Sequence, residues 1–277
     1  MPKPIPLSNL TQRIITAVIG ASVFISALVF HEASAYLIIL TINLLCLIEF
    51  YNLCKQQGWQ VQKGFGLLFT LLLYAPLVLG AVIGDTFNLL PLLLLFPAFI
   101  FIRALFNPSN IPFTDVAFTI LGLLYLTLPL FLFCLIGTNP YNERYEYERL
   151  IGILVLLWSS DSGAYFIGKK FGRRKLFERI SPKKTWEGFA GGLLLAIIIA
   201  HPLAYYFKCY SITNWLAIAV IMATIGTLGD LVESMFKRSI AIKDSGSLLP
   251  GHGGFLDRFD GLFIAAPFVF VYLMLMQ

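Results

Sequence analysis

The sequence predicts an all-α, polytopic integral membrane protein of about nine transmembrane helices with a cytoplasmic N-terminus, and three observations predict it. Hydrophobic residues make up 58% of the 277 positions and Asp, Glu, Lys and Arg only 13%. The apolar residues lie in continuous runs near the ~20 residues that a helix needs to cross a bilayer. Those runs are apolar on every side, whereas the helices of a soluble domain alternate polar and apolar faces. Membrane strands would instead show short segments of alternating hydrophobicity, which the runs lack.

With a window of about 19 residues, the candidate spans are 13–30, 35–53, 66–84, 88–105, 116–137, 150–168, 187–207, 212–231 and 259–276. Lys3, Arg13 and the Ala33-Ser34-Ala35 sequence give the first span the outline of a signal peptide. Its apolar stretch, Ile14 to Phe30, is longer than a signal-peptide core, so it is read as a retained span. With the N-terminus inside, Lys55, Lys63, Arg103, the basic run from Lys169 to Lys184, Lys237, Arg238, Lys243 and Arg258 all fall on the cytoplasmic side. Arg144, Arg149 and Lys208 fall outside with Glu143, Glu146 and Glu148. This is the lysine and arginine bias expected of cytoplasmic loops. It also accounts for the net charge of +5 without a nucleic-acid partner. Cys46, Cys54, Cys134 and Cys209 are scattered and form neither a zinc motif nor a disulfide framework.

The chain divides into N-terminal transmembrane helices, 1–149, with little identifiable chemistry, and a C-terminal transmembrane catalytic region, 150–277. The second part carries two cytoplasmic loops, 169–186 and 232–258, and loops of this length are often functional. Asp161 falls within the apolar run that begins at Leu150. An acid at that depth costs about 2.5–3.5 kcal/mol on insertion scales, so it should face a wet cavity or a partner. In ISPKKTWEG, Lys183, Lys184 and Thr185 precede an apolar helix, where cations and a hydroxyl suit an anion. If the helix continues through GDLVESMFKR, then Asp230, Glu233, Ser234 and Lys237 share one face. Gly251, Gly253 and Gly254 around His252 can present backbone N–H groups to an anion. Asp257 and Asp260, three residues apart, share a face if the last helix starts near Phe255. Carboxylates bordered by lysine and arginine suit Mg²⁺, which binds one or two carboxylates together with substrate phosphates. His252 has no cysteine or second histidine beside it, so zinc is not expected.

The run from Ser234 to Asp260, SMFKRSIAIKDSGSLLPGHGGFLDRFD, resembles without a gap the motif of the phosphatidate cytidylyltransferases, the CDP-diacylglycerol synthases. DSGAYFIGKKFGRRKL and ISPKKTWEG are similar to the same family, and the earlier spans resemble it only in hydropathy. Lys169 stands where many members carry arginine, and Gly261 where serine is frequent. The resemblance implies that CTP and phosphatidate give CDP-diacylglycerol and pyrophosphate in a bacterial inner membrane, with the active site facing the cytoplasm. It also implies a metal centre at Asp230, Asp257 and Asp260 holding Mg²⁺, with a second metal or a monovalent cation left open. Lys183, Lys184, Lys237, Arg238, Lys243 and Arg258 would surround the nucleotide and lipid phosphates, with Lys237 counted among the catalytic residues. Asp161, Thr185, Ser234, Asp244, His252, Gly253 and Gly254 complete the substrate-binding set. Packing of Gly-rich helices would permit a homodimer. Two other readings stay open at this level: a transporter for a phosphorylated solute or lipid, and a CTP-dependent transferase or lipid kinase acting on a lipid alcohol. A CDP-alcohol phosphotransferase does not fit, because Asp260-Gly261 is not followed by that family's Ala-Arg signature.

Overall fold

The computed structural model describes residues 9–84, 89–139, 144–246 and 253–276, with side chains from residue 18 onward except that of Leu90. Among the described residues, seven helical spans are long and apolar enough to cross a membrane. They are α2 (Glu32–Gln56), α3 (Lys63–Ile83), the continuous Pro112–Ile136 span, α8 (Tyr147–Phe171), α9 (Trp186–Tyr206), α10 (Ile212–Ser239) and α11 (Leu256–Leu275). The Pro112–Ile136 span consists of α6 (Pro112–Gly122), a π-helical turn at Leu123–Thr127 and α7 (Leu128–Ile136). The predicted first span is helical as α1 (Asn9–Phe30), whereas the 88–105 region splits into α4 (Leu90–Leu93) and α5 (Phe96–Leu105). Pro97 accounts for the split, since it lacks the N–H that would bond Leu93 O in a continuous helix.

A polar network holds the N-terminal helices together where apolar packing alone offers no preference over lipid. Asn43 Nδ2 donates to Tyr74 Oη at 3.0 Å, and Thr127 Oγ1 donates to Asn43 Oδ1 at 3.2 Å. Thr70 and Thr127 hydroxyls lie 3.0 Å apart, so α2, α3 and the π turn share one buried cluster. Between the spans on the opposite end from the long loops, Arg149 pairs with Glu146 at 2.6 Å and its guanidinium lies 4.8 Å from the Tyr210 ring centroid. Burial pushes the neighbouring Cys209 thiol up to about 12, so it behaves as a small hydrophobe. All four cysteines are free.

The C-terminal region packs through small residues. A Cβ on Gly163 of α8 would stand 2.7 Å from Gly191 O of α9, and one on Gly229 of α10 would stand 2.8 Å from Asp260 O of α11. Only glycine admits such approaches, and they draw the loop-bearing ends of α8, α9, α10 and α11 together. The loop before α9 is folded rather than irregular: β1 (Lys175–Phe177) and β2 (Ser181–Thr185) pair antiparallel. This hairpin is the one sheet among the described residues, besides an isolated antiparallel bridge between Thr138 and Tyr145.

Candidate active site

α10 continues as helix through Ser239, so Asp230, Glu233, Ser234 and Lys237 do lie on consecutive turns of one face. The structure divides the candidate residues between a cleft and a buried cluster beside it.

The cleft, about 450 Å³, lies between α8, the hairpin, α9 and α10, and Asp161, Lys183, Lys184, Thr185, Thr227 and Asp230 line it. Its remaining wall includes the apolar Ala164, Tyr165, Leu176 and Phe189. Lys184 Nζ lies 2.5 Å from Asp230 Oδ2 and donates to Thr227 O at 3.5 Å. Ser234 Oγ donates to Asp230 Oδ1 at 3.3 Å, which orients the carboxylate. Asp260 adjoins through the Gly229 contact, and Asp230, Asp161 and Lys184 all lie within its electrostatic range. Asp161 and Asp230 thus line the cleft with Lys184, which pairs with Asp230, and α11 brings Asp260 beside it. Thr185 serves the scaffold, capping α9 through its Oγ1, which accepts from Gly188 N at 3.1 Å. Glu187 in the first turn of α9 accepts from the N–H groups of Arg173 and Arg174 at 3.0 and 3.2 Å, fastening the hairpin that carries Lys183 and Lys184.

The second cluster is built around Lys237. Its ammonium lies 2.5 Å from Glu233 Oε2 on the same helix and donates to Asp257 Oδ1 at 2.7 Å on α11. Asp257 Oδ2 accepts from Ser245 N at 3.1 Å, Ser245 Oγ at 2.9 Å and Gly254 N at 3.2 Å. Both oxygens of Asp257 are therefore engaged by protein donors that tie the α10–α11 loop to α11. Gly253 in that loop has φ +82, the left-handed conformation the glycine-rich motif anticipated. Gly254 packs on Ser245 and on Glu49. Arg238 donates to Ile242 O at 3.0 Å at the end of α10, and Lys243, Asp244 and Arg258 are exposed around the loop. His252 and Gly251 lie outside the described residues.

Glu49 is the residue that sequence reasoning missed. It comes from α2, is 4% exposed, and its Oε2 accepts from Leu256 N at 3.0 Å at the start of α11. A carboxylate on the first turn of a helix satisfies a free N–H and complements the helix dipole. Its one visible signal is an acid inside the otherwise apolar 35–53 span, the same cue that marked Asp161.

No group of three or more His, Cys, Asp or Glu side chains among the described residues is arranged to hold a metal ion by itself. The donor set at the cleft fits the other mode, in which one or two carboxylates share a hard cation with substrate phosphates. Asp230 lies on the cleft with one donor on each oxygen, from Lys184 and Ser234, and with the adjoining Asp260 suits that mode, whereas Asp257 is held by four donors from Lys237, Ser245 and Gly254.

A family model described as the cytidylyltransferase family matches residues 11–276. A phosphatidate cytidylyltransferase from Bacillus subtilis is 32% identical over 275 residues, covering 96% of this chain and 98% of its own. Another from Staphylococcus haemolyticus is 30% identical over 267 residues, covering 95% and 99%. One from Haemophilus influenzae is 46% identical over 135 residues, 47% of this chain and 46% of its own.

Proposed function

The chain belongs to the cytidylyltransferase family, and from that membership we propose that it transfers CMP from CTP to phosphatidate, giving CDP-diacylglycerol and pyrophosphate. The observation that carries this reading is the meeting of Asp161, Asp230 and Lys184 in a cleft whose remaining wall is largely apolar. A nucleotide needs the polar side, and a diacyl lipid needs the apolar one. Exposed aromatic side chains beside it, Tyr165, Phe166 and Trp186, are of the kind that sit at membrane interfaces.

In the reaction, a phosphate oxygen of the lipid forms a bond to the α-phosphorus of CTP, and the bond from that phosphorus to the bridging oxygen of the β-phosphate breaks. The lipid phosphate is largely ionised at neutral pH, its second pKa being about 6, so no general base is required. The chain's work is to bring two polyanions together and hold them in line. Lys183 and Lys184 face the incoming phosphates, and Lys184, with three donors, can keep Asp230 while binding an oxygen. Asp230 and Asp260 would hold a divalent cation such as Mg²⁺, which would neutralise charge on the triphosphate and on departing pyrophosphate. Lys237, Glu233 and Asp257 position the glycine-rich loop, and Lys243 and Arg258 add positive charge at its rim. The cleft would face the cytoplasm of a bacterial inner membrane, where CTP is found, a reading supported by the excess of Lys and Arg at that end of the bundle.

The test is pyrophosphate release by the purified protein in vesicles containing phosphatidate, with CTP and Mg²⁺. Release that requires phosphatidate, with no activity when diacylglycerol or a polyprenol replaces it, is the expected result. CTP-dependent release with the lipid alcohols instead would overturn the assignment of acceptor, and no release with any of them would overturn the reading.

A further inference from the structure

The N-terminal half contains a site that the proposed reaction does not use. Where the α2–α3 connection meets the end of α5, a cavity of 590 Å³ has Lys55, Lys63 and Arg103 on its wall and no Asp or Glu. Among the described residues none of these cations belongs to a salt bridge. Lys63 Nζ donates to Asn52 Oδ1 at 3.2 Å, and the Arg103 guanidinium lies 5.5 Å from the Phe65 ring centroid. The preference for lysine and arginine at a cytoplasmic boundary explains their sign, but it does not gather them around a cavity.

The cavity floor is built and specific. Gln62 is 8% exposed; its Nε2 donates to Ile100 O at 2.8 Å and its backbone N–H to Thr119 Oγ1 at 2.9 Å. Its Oε1 has no partner within the protein. Asp115, buried behind the floor, uses both oxygens to hold the two adjoining loops, accepting from Gln60 N at 2.7 Å and from Ser109 Oγ at 2.5 Å.

Asn107 lies on both this cavity and an apolar groove of 480 Å³ bounded by α5 and α6. Past Phe101, Phe113 and Val116 the groove continues toward Leu124. Phe113 is 78% exposed and Phe101 45%, so the described residues leave this face uncovered. At about 1.5 Å per residue, the ten residues of α5 reach only about half of a ~30 Å hydrocarbon core, which leaves α6 without a full-length neighbour here.

We propose that the cavity and groove together bind one anionic phospholipid, separate from the reacting lipid. Its phosphate lies among Lys55, Lys63 and Arg103, and an acyl chain follows the groove along α6.

The test is native mass spectrometry of the detergent-purified full chain, delipidated and then titrated with phosphatidylglycerol or phosphatidylcholine in the absence of CTP. One phosphatidylglycerol should bind in preference to phosphatidylcholine. The preference should fall about tenfold or more in the triple variant Lys55→Gln, Lys63→Gln, Arg103→Gln. It should persist when the same positions are changed Lys55→Arg, Lys63→Arg, Arg103→Lys, and in the charge-matched control Arg173→Gln, Lys175→Gln, Arg179→Gln on the hairpin. Equal binding of the two lipids by the unaltered protein would overturn the proposal, as would an equal loss in the hairpin control. A dimer that is lost on Phe113→Asp while phosphatidylglycerol binding stays unchanged would assign the groove to a second copy and also overturn it. Because binding is read without turnover, the result is independent of the proposed reaction.

Discussion

Gly229→Ala tests whether the approach of α10 to α11 is what assembles the cleft. The added Cβ would lie 2.8 Å from Asp260 O and 3.1 Å from Gly261 Cα, both backbone atoms that cannot rotate away. Ordinary contact begins near 3.4 Å, so the two helices must part by about 0.6 Å. Overpacking of this kind costs roughly 1–3 kcal/mol. The displacement falls between Asp230 and Asp260, and a misplacement of about 1 Å can cost on the order of a hundredfold in rate. Turnover per folded molecule, followed as pyrophosphate release, should therefore drop about tenfold or more. Gly226→Ala is the control: one turn earlier on α10, its Cβ would meet Leu157 Cδ1 at 3.1 Å, the end of a flexible side chain, and Gly261 O only at 3.9 Å. That variant should keep turnover within about twofold. Equal turnover in the two variants, with both folded by circular dichroism, would refute the claim that close backbone contact sets the carboxylate geometry.

Asp230→Asn should abolish pyrophosphate release yet change stability by no more than about 1 kcal/mol, because its pair with Lys184 is partly exposed and screened; near-normal activity would remove Asp230 from the site. Chelation with EDTA should stop the reaction and added Mg²⁺ should restore it, and turnover indifferent to EDTA would remove the metal. Lys237→Ala leaves Glu233 and Asp257 buried without their cation and should lower unfolding stability by about 3–5 kcal/mol, so a loss below about 1 kcal/mol in thermal unfolding would contradict the clamp described here. Ala241 occupies the left-handed position of the turn that ends α10, at φ 57, with Ala241 N donating to Arg238 O and Ile242 N to Lys237 O; Ala241→Gly should raise stability by about 0.5–1 kcal/mol, and no gain would mean that the turn is unstrained. Lys243→Cys should react only with a label supplied from the cytoplasmic side, while labelling from outside would reverse the assigned orientation.

Much of the architecture was legible in local pattern. Hydropathy located the segments that became α2, α3, α8, α9 and α11 to within a few residues, because each apolar run has its own reason to leave water. The 88–105 segment read as a span of ordinary length, yet Pro97 divides it, and a hydropathy window does not weigh a missing backbone donor. The end of α10 was also hidden from hydropathy, since Asp230, Glu233, Lys237 and Arg238 are polar on a stretch that is nevertheless helical. The cysteines could be set aside from spacing alone, and the structure leaves all four free, with Cys46, Cys54 and Cys134 buried.

The candidate site was legible as a set of residues and illegible as a partition. Charged side chains in a charge-poor chain marked Asp161, Lys184, Asp230, Lys237, Asp257 and Asp260, because a membrane chain rarely keeps charge at depth without use for it. Which acid meets which base is a different kind of fact. Asp230 stands with Lys184 across 46 positions of sequence, Asp257 stands with Lys237, and Glu49 reaches Leu256 from the other end of the chain. Those pairings are set where glycines let helix backbones touch and where a side chain finds a donor on a distant helix. What the sequence by itself determined is therefore the solvent of each segment and the residues able to do chemistry, both properties of neighbours along the chain. Only the tertiary structure decided which carboxylates face the cleft and which brace the loop, because that choice depends on distances of a few tenths of an ångström between helices that the sequence keeps far apart.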